Sequence, residues 1–447
     1  MKNAVEVVYR PPSKPTNCFD NLEITLANLT AEMDEIILTA IIALFDVHAP
    51  LKTISTKRPA KPYITDTIKE IIKLKDKEAY KDLKNYVSYA IKQEKAAYVE
   101  YELNACKKNS RKLWNKFSDL GVHQRKSNEI APELTDPNRI NNFFCNVPST
   151  SIDPNLVEFF NYNRHHNPHQ TLELTLVTME EVKNALLSIK SNATGLDNIS
   201  LQMLKLIFPF CGDTITHLIN TSFLSGMVPK VWKKAVVVPL AKVTKATKLK
   251  ELRPINLLPV TYKIVEKIIT YIIMKYMNEF NILPSYRSGF RRNYSTCSAL
   301  LKITSEISTA LDDSQLCILT LLYYSKAFDM VNPQLLLAKL RYYGLAEAFC
   351  DWFNSYLSNR TQVVKLEDNV SSEIEMALGV PQGSSLSPIL FTTFTADLPS
   401  CLSSDVSAHL YADDTQMYVF CNPQDINSAV SILTKQEFGT YVRMVLK

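Results

Sequence analysis

The sequence predicts an α/β fold of the α+β kind, and three observations predict it. From Thr178 onward, short apolar runs alternate with stretches of helical spacing. Capping-box patterns, Thr67-x-x-Glu70 and Thr178-x-x-Glu181, stand ahead of two such stretches. Near the end, Ala408-His409-Leu410 and Met417-Tyr418-Val419-Phe420 flank Tyr411-Ala412-Asp413-Asp414, the pattern of strand, tight turn and strand. A chain of 447 residues, 46% hydrophobic and 21% charged, has the composition of a globular protein rather than a disordered one.

The elements follow in order. Val7-Val8-Tyr9-Arg10 reads as a short strand stopped by Pro11 and Pro12. Phe19 to Leu29 has the spacing of an amphipathic helix. The apolar run Ile36 to Phe45 is too short to span a bilayer and reads as a buried helix. Pro50, Pro59 and Pro62 mark a loop. Ile68, Ile71, Ile72, Ala79, Tyr86, Ala90, Tyr98 and Leu103 keep helical spacing toward Leu120, with Trp114 and Phe117 as anchors. Residues 121–175 are polar and proline-bearing and read as a solvated loop. Its His165, His166 and His169 have no Cys or carboxylate partner at a metal-ligand spacing.

Beyond this loop, Val182 to Ile189 reads as a helix, and Thr194-Gly195-Leu196-Asp197 as a turn ahead of another. Pro229, Trp232 and Lys233 lead into the strand Ala235 to Leu240. Arg253-Pro254-Ile255-Asn256-Leu257-Leu258-Pro259 precedes a helix containing Lys263, Glu266 and Lys267. Ser288-Gly289-Phe290-Arg291-Arg292 and Ser295-Thr296 come next. The apolar strand Ile318 to Leu322 then runs into Tyr323-Tyr324-Ser325-Lys326-Ala327-Phe328-Asp329. Gly379-Val380-Pro381-Gln382-Gly383-Ser384-Ser385-Leu386-Ser387-Pro388 is a glycine- and proline-bearing loop entering a helix.

The nine cysteines are scattered with no CxxC pair, which argues against a zinc site and a secreted disulfide framework. Together with the lack of a signal-peptide pattern, this points to an intracellular setting, nucleus or cytoplasm, with no membrane partner. Between Leu51 and Ser127, 19 lysines and arginines face nine acidic residues. That excess suits a polyanion such as nucleic acid, and equally a solvated lysine-rich helix face.

Adjacent carboxylates at a hairpin tip repel each other, and a divalent cation between them relieves that repulsion. Such a tip suits half of a two-metal phosphoryl-transfer site. Taken alone, Asp413-Asp414 is also an ordinary acidic surface turn. The ordered motifs upstream decide between the two.

From about Thr178 to Phe420 that ordered set resembles the reverse transcriptase of non-LTR (LINE-type) retrotransposons. The resemblance implies a right-hand polymerase, with fingers and a palm built on an antiparallel sheet, preceded by a basic helical region. It implies an RNA-directed DNA polymerase that extends a DNA primer along an RNA template, using dNTPs and Mg²⁺, with Mn²⁺ as a substitute. It places metal-binding carboxylates at Asp413, Asp414 and the position of Tyr323. Phe328 matches the aromatic residue that blocks a ribose 2′-hydroxyl. Arg253 and Lys263 match basic residues that meet the triphosphate. Gln382 and Gly383 match the approach to template and incoming base, and Arg291 a contact to template or nucleotide.

The domains expected from the resemblance are a remnant of an endonuclease-type domain at 1–50, a basic helical linker at 51–175, and a reverse transcriptase domain at 176–447 lacking a thumb. The sequence also departs from the family pattern. Tyr323 stands where a carboxylate is expected, and a neutral phenol is a poor Mg²⁺ ligand at pH 7. The expectation is therefore a reverse transcriptase domain with impaired catalysis. The alternative is a non-catalytic nucleic-acid-binding protein derived from such an element.

Overall fold

The structure, a computed structural model, describes residues 6–7, 53–54, 80–106, 112–113, 129–147, 152–163, 165, 171–291, 293–324, 326–398 and 402–439. The chain divides into two compact units, one of Met1–Arg10 with Leu51–Glu129 and one of Pro11–Pro50 with Ile130–Lys447. The first holds β1 (Glu6–Val7), paired antiparallel with β2 (Thr53–Ile54), and the helix α1 (Tyr80–Cys106). β1 shares Val7 with the strand expected ahead of the prolines, whose Val8, Tyr9 and Arg10 lie outside the described residues. β2 corrects the expectation of an unbroken loop from Pro50 to Pro62: these prolines leave β-branched Thr53 and Ile54 free to pair. The helix expected at Phe19 to Leu29, the buried helix expected at Ile36 to Phe45, and the anchors Trp114 and Phe117 lie outside the described residues.

The second unit corrects the reading of 121–175 as loop. It contains α2 (Pro137–Cys145) and α3 (Pro154–Tyr162). Each starts at an aspartate, Asp136 or Asp153, whose carboxylate accepts the N–H two residues on, and each has proline in its first turn. His165 makes aromatic contacts with Tyr342 and Tyr343. His166 and His169 lie outside the described residues.

Next come α4 (Met179–Ser188), with the expected capping box between Thr178 and Glu181, and α5 (Leu201–Ser225), capped by Ser200. β3 (Lys234–Ala241), β4 (Leu252–Leu257), α6 (Val260–Glu279), α7 (Thr296–Asp312) and β5 (Leu316–Tyr323) follow. Then come α8 (Pro333–Tyr342), α9 (Glu347–Leu357), β6 (Arg360–Leu366), β7 (Ile374–Met376) and α10 (Ser387–Phe394). β8 (Ser407–Tyr411), β9 (Asp414–Cys421) and α11 (Ile426–Gly439) complete the order.

Two sheets organise this unit. One is mixed, in the order β7-β6-β3-β4, with β3 parallel to β6 and the other pairs antiparallel. The other is a three-stranded antiparallel sheet in the order β8-β9-β5. The main core lies among the helices, where Val182, Leu204, Trp232, Tyr262, Trp352 and Leu390 are all buried. Each large side chain withdrawn from water there contributes about 1.5–3 kcal/mol.

Smaller apolar clusters fix each sheet. α2 lays Ile140 and Phe144 on Val237, Leu252 and Val364 of the mixed sheet. At that seam the fully buried Asn141 accepts from Gln362 Nε2 (2.9 Å) and donates to Ser371 Oγ (3.0 Å), which satisfies its amide. α11 covers one face of the three-stranded sheet through Ala429 and Leu433 against Met417 and Val419. Among the described residues, no helix is long and apolar enough to cross a membrane.

Candidate functional site

The acidic hairpin forms as the alternation predicts. Tyr411 pairs with Asp414, leaving Ala412 and Asp413 as a two-residue turn. Ala412 has φ of 55°, the positive value that such a turn demands at its first central position. The next register pair sets Asp414 opposite Tyr323, the last residue of β5. Backbone pairing thus brings Asp413, Asp414 and Tyr323 to one end of one sheet. Partial burial, then the neighbouring Asp413 charge, push the Asp414 carboxyl above its usual range. Among the described residues, no group of three His, Cys, Asp or Glu side chains could hold a metal ion.

A second segment supports the hairpin from outside. Leu410 N–H donates to Tyr286 O (2.9 Å), and Ser288 N–H donates to Leu410 O (2.9 Å). Gly289 follows, so close to the turn that a Cβ there would meet the Ala412 amide nitrogen. Arg287, in the same segment, is fully buried and donates through Nη2 to the Thr395 hydroxyl (2.5 Å). Burial pulls its guanidinium down to about 10.

The Gly379–Pro388 loop forms the other wall. Val380 N–H donates to Phe328 O (2.9 Å) and Gly379 N–H to Val331 O (2.8 Å), which ties the loop to the segment after β5. Gln382 Nε2 donates to Asp329 Oδ1 at 2.8 Å. Burial pushes the Asp329 carboxyl upward, against the Gln382 hydrogen bond and the charges of Lys326 and Lys242. On the far side, Asn256 in β4 donates both its N–H (2.7 Å) and its Nδ2 (3.0 Å) to Gln382 O. Gly383 has φ of 104° and would press a Cβ within 2.9 Å of Asn256 O, so only glycine fits. Phe328 stacks on Phe391 (4.8 Å between centroids) and meets Phe290 edge-on (6.1 Å), linking this loop to the segment beside the hairpin.

The basic residues singled out from sequence are more dispersed. Arg253 is exposed on β4, three residues before Asn256. Lys263 donates to Ala193 O (2.6 Å). Burial pulls its ammonium down, while Glu266 and Asp197 pull it up. Asp197 is itself pushed up to about 6, mainly by burial. Arg291 donates to Pro284 O (3.0 Å) and lies over the Tyr294 ring (4.8 Å).

Two residues without a sequence-level role stand out. Lys326 donates to Phe143 O (3.2 Å) and Asn146 O (3.0 Å), fastening the end of α2 to the segment after β5. Glu266 is fully buried and accepts from Ser384 Oγ, Ser385 N–H and Tyr356 OH. Its signal in the sequence was a carboxylate set among Tyr262, Val265, Ile269 and Ile273, all of which α6 buries.

Residues 242–437 match the family described as reverse transcriptase (RNA-dependent DNA polymerase). This part of the chain is similar to a reverse transcriptase domain. The proteins the chain is similar to are named for transposons and mobile elements. It is 32% identical over 238 residues to the probable RNA-directed DNA polymerase from transposon BS of Drosophila melanogaster, covering 51% of this chain and 25% of that protein. It is 29% identical over 253 residues to the RNA-directed DNA polymerase from mobile element jockey of the same species, covering 55% and 28%. The corresponding protein of transposon X-element is 31% identical over 213 residues, covering 45% and 22%. The chain thus spans about a quarter of the length of the curated relatives it matches. The reverse transcriptase match takes in Arg253, Lys263, Glu266, Arg291, Tyr323, Phe328, Gln382, Gly383, Asp413 and Asp414.

Proposed function

We propose that this chain is the fingers and palm of a non-LTR retrotransposon reverse transcriptase, an RNA-directed DNA polymerase by ancestry, with strand synthesis impaired at its metal site. The three-stranded sheet β8-β9-β5 serves as the palm, and the mixed sheet with its helices as the fingers. The observation that carries the reading is the register pair of Asp414 with Tyr323. It puts a tyrosine at the sheet end where the acidic pair stands.

Reverse transcriptases typically use divalent metal, and the donors here do not fit a two-ion site. Mg²⁺ takes hard, preferably anionic oxygen ligands. Asp413 and Asp414 supply two carboxylates, while a phenol with an ordinary pKa near 10 stays neutral. In this reading Phe328, backed by Phe391 and Phe290, walls off the sugar 2′ position of a dNTP. The Gln382–Gly383 turn receives the templated base pair, and Arg253, Lys263 and Arg291 supply positive charge toward the triphosphate and the RNA template. The partners are accordingly an RNA template, a DNA primer and dNTPs.

The test is primer extension on an RNA template with Mg²⁺, comparing wild type with Tyr323→Asp. A carboxylate restored at a metal site changes the rate by roughly a thousandfold, at about 1.4 kcal/mol per decade. We expect Tyr323→Asp to bind Mg²⁺ more tightly by calorimetry and to extend faster. Efficient extension by the wild type, unimproved by the substitution, overturns the reading.

A second reading rests on α1, which leaves Tyr89 and Tyr101 exposed on a helix that also exposes Lys92 and Lys95. Exposed aromatic and basic side chains together suit binding of nucleic acid without synthesis. It requires salt-sensitive RNA or DNA binding that weakens when residues 51–127 are deleted.

A further inference from the structure

We infer that Glu266 is a positioning residue for the Gly379–Pro388 turn, acting through Ser384. The inference rests on the reverse transcriptase reading only in assigning that turn to nucleotide binding.

The geometry runs outward from one carboxylate. Glu266 Oε1 accepts from Ser384 Oγ (2.7 Å) and from Tyr356 OH (3.1 Å), and Oε2 accepts the Ser385 N–H (3.0 Å). Ser384 Oγ, whose O–H donates to Glu266, accepts the N–H groups of Leu386 (3.0 Å) and Ser387 (3.2 Å). Those two amides open α10, whose N-cap residue, Leu386, has no side chain able to cap it. A helix start needs acceptors for its orphan N–H groups, and a buried one cannot use water. Here a carboxylate from α6 and a hydroxyl from the turn do that work together. Burial pushes the Glu266 carboxyl upward, against the hydrogen bonds from Ser384, Ser385 and Tyr356 and the charge of Arg360.

The same link sets the preceding residues. Ser387 Oγ donates to Pro381 O (2.8 Å), so the start of α10 holds the turn from within. Gln382 O is then in reach of Asn256, and its side chain in reach of Asp329. Across the back of the site the buried Arg360 donates to Tyr262 OH (3.1 Å) and Tyr356 O (3.2 Å), leaving a cation close to Glu266 without direct contact. The carboxylate is thus kept for the turn.

Glutamine at position 266 must turn its NH₂ either to the Ser385 N–H or to the Ser384 hydroxyl, whose oxygen already serves two amides. One link is lost in either orientation. Hydrogen exchange of the full chain, followed peptide by peptide, reads the result. We expect Glu266→Gln and Ser384→Ala each to speed exchange of amides 382–387 about tenfold or more. Exchange in β5 and β9 should not change. Tyr356→Phe removes a hydroxyl from Glu266 and a long contact (3.4 Å) to Ser384 Oγ, but leaves the direct links of Glu266 to Ser384 and Ser385, and should leave the turn near wild type. Unchanged protection of 382–387 in Glu266→Gln overturns the inference. So does a loss spread evenly over the unit, or an equal loss in Tyr356→Phe.

Titration of dTTP onto protein bound to an RNA–DNA primer-template separates the two claims. About tenfold weaker dTTP binding in Glu266→Gln, with primer-template affinity unchanged, supports both. A loosened turn with unchanged dTTP affinity supports the link from Glu266 and overturns the assignment of the turn to the nucleotide.

Discussion

Gly289 lies so close to Ala412 that a methyl group on its α-carbon would stand 1.9 Å from the Ala412 amide nitrogen. The neighbour is backbone at the tip of the acidic hairpin, not the end of a flexible side chain. Neither strand yields easily, because Leu410 is bonded on both sides, to Tyr286 and Ser288. We expect Gly289→Ala to displace the turn and to destabilise the domain by about 3 kcal/mol, the upper range for overpacking. Urea unfolding measures it. A loss below about 0.5 kcal/mol would mean that the hairpin tip stands free of the 286–289 segment.

Asp197 sets a pH dependence. Its carboxyl is pushed from an ordinary 3.8 to about 6, chiefly by burial, against the Ile199 N–H and the Lys263 charge. The folded state therefore holds this proton more tightly than the unfolded chain does. Stability from this group is greatest below pH 4, falls as the pH rises to about 6, and is flat above that. The whole fall amounts to at most about 3 kcal/mol. Asp197→Asn removes the titration, so its unfolding free energy should gain on the wild type between pH 4 and pH 7. Parallel pH profiles of wild type and Asp197→Asn would exclude the assignment.

Much of this architecture is legible in the sequence because it is written locally. The hairpin at Asp413-Asp414 follows from a period-two alternation on either side of a tight turn, and the capping box at Thr178 and Glu181 from four consecutive positions. The helices α2 and α3 are hidden by their shortness, nine residues each within a proline-bearing stretch, though the Asp-Pro steps at 136–137 and 153–154 announce both starts. The partners of Lys326 and Glu266 could not be read from the sequence. Lys326 meets carbonyls 183 and 180 residues away, and Glu266 meets Tyr356 and Ser384, 90 and 118 residues away. Such partners exist only once the fold has brought them together. Lys263 shows the same limit, since its bond to Ala193 O, 70 residues away, follows from packing rather than from its motif.

Arg287 and Lys339 form a contrast within one buried region. Lys339 is paired with Asp397 at 2.6 Å and also donates to Phe394 O, so its charge is compensated. Arg287 is just as buried, yet its Nε and Nη1 have no hydrogen-bond partner, and the carboxylate whose charge acts on it, Asp397, is paired with Lys339. A buried cation without its own counter-charge is a cost, whereas a buried pair is costly to break. Two substitutions of the same kind should therefore act in opposite directions. Arg287→Gln keeps a donor for Thr395 and should raise the unfolding free energy by about 1 kcal/mol or more. Lys339→Gln removes the ammonium that meets Asp397 at 2.6 Å and should lower it by about 3 kcal/mol. Chemical denaturation of both variants at pH 7 decides the matter. A destabilised Arg287→Gln would show that the guanidinium is held by charge within the fold, and the account of an uncompensated cation beneath the hairpin would then fail.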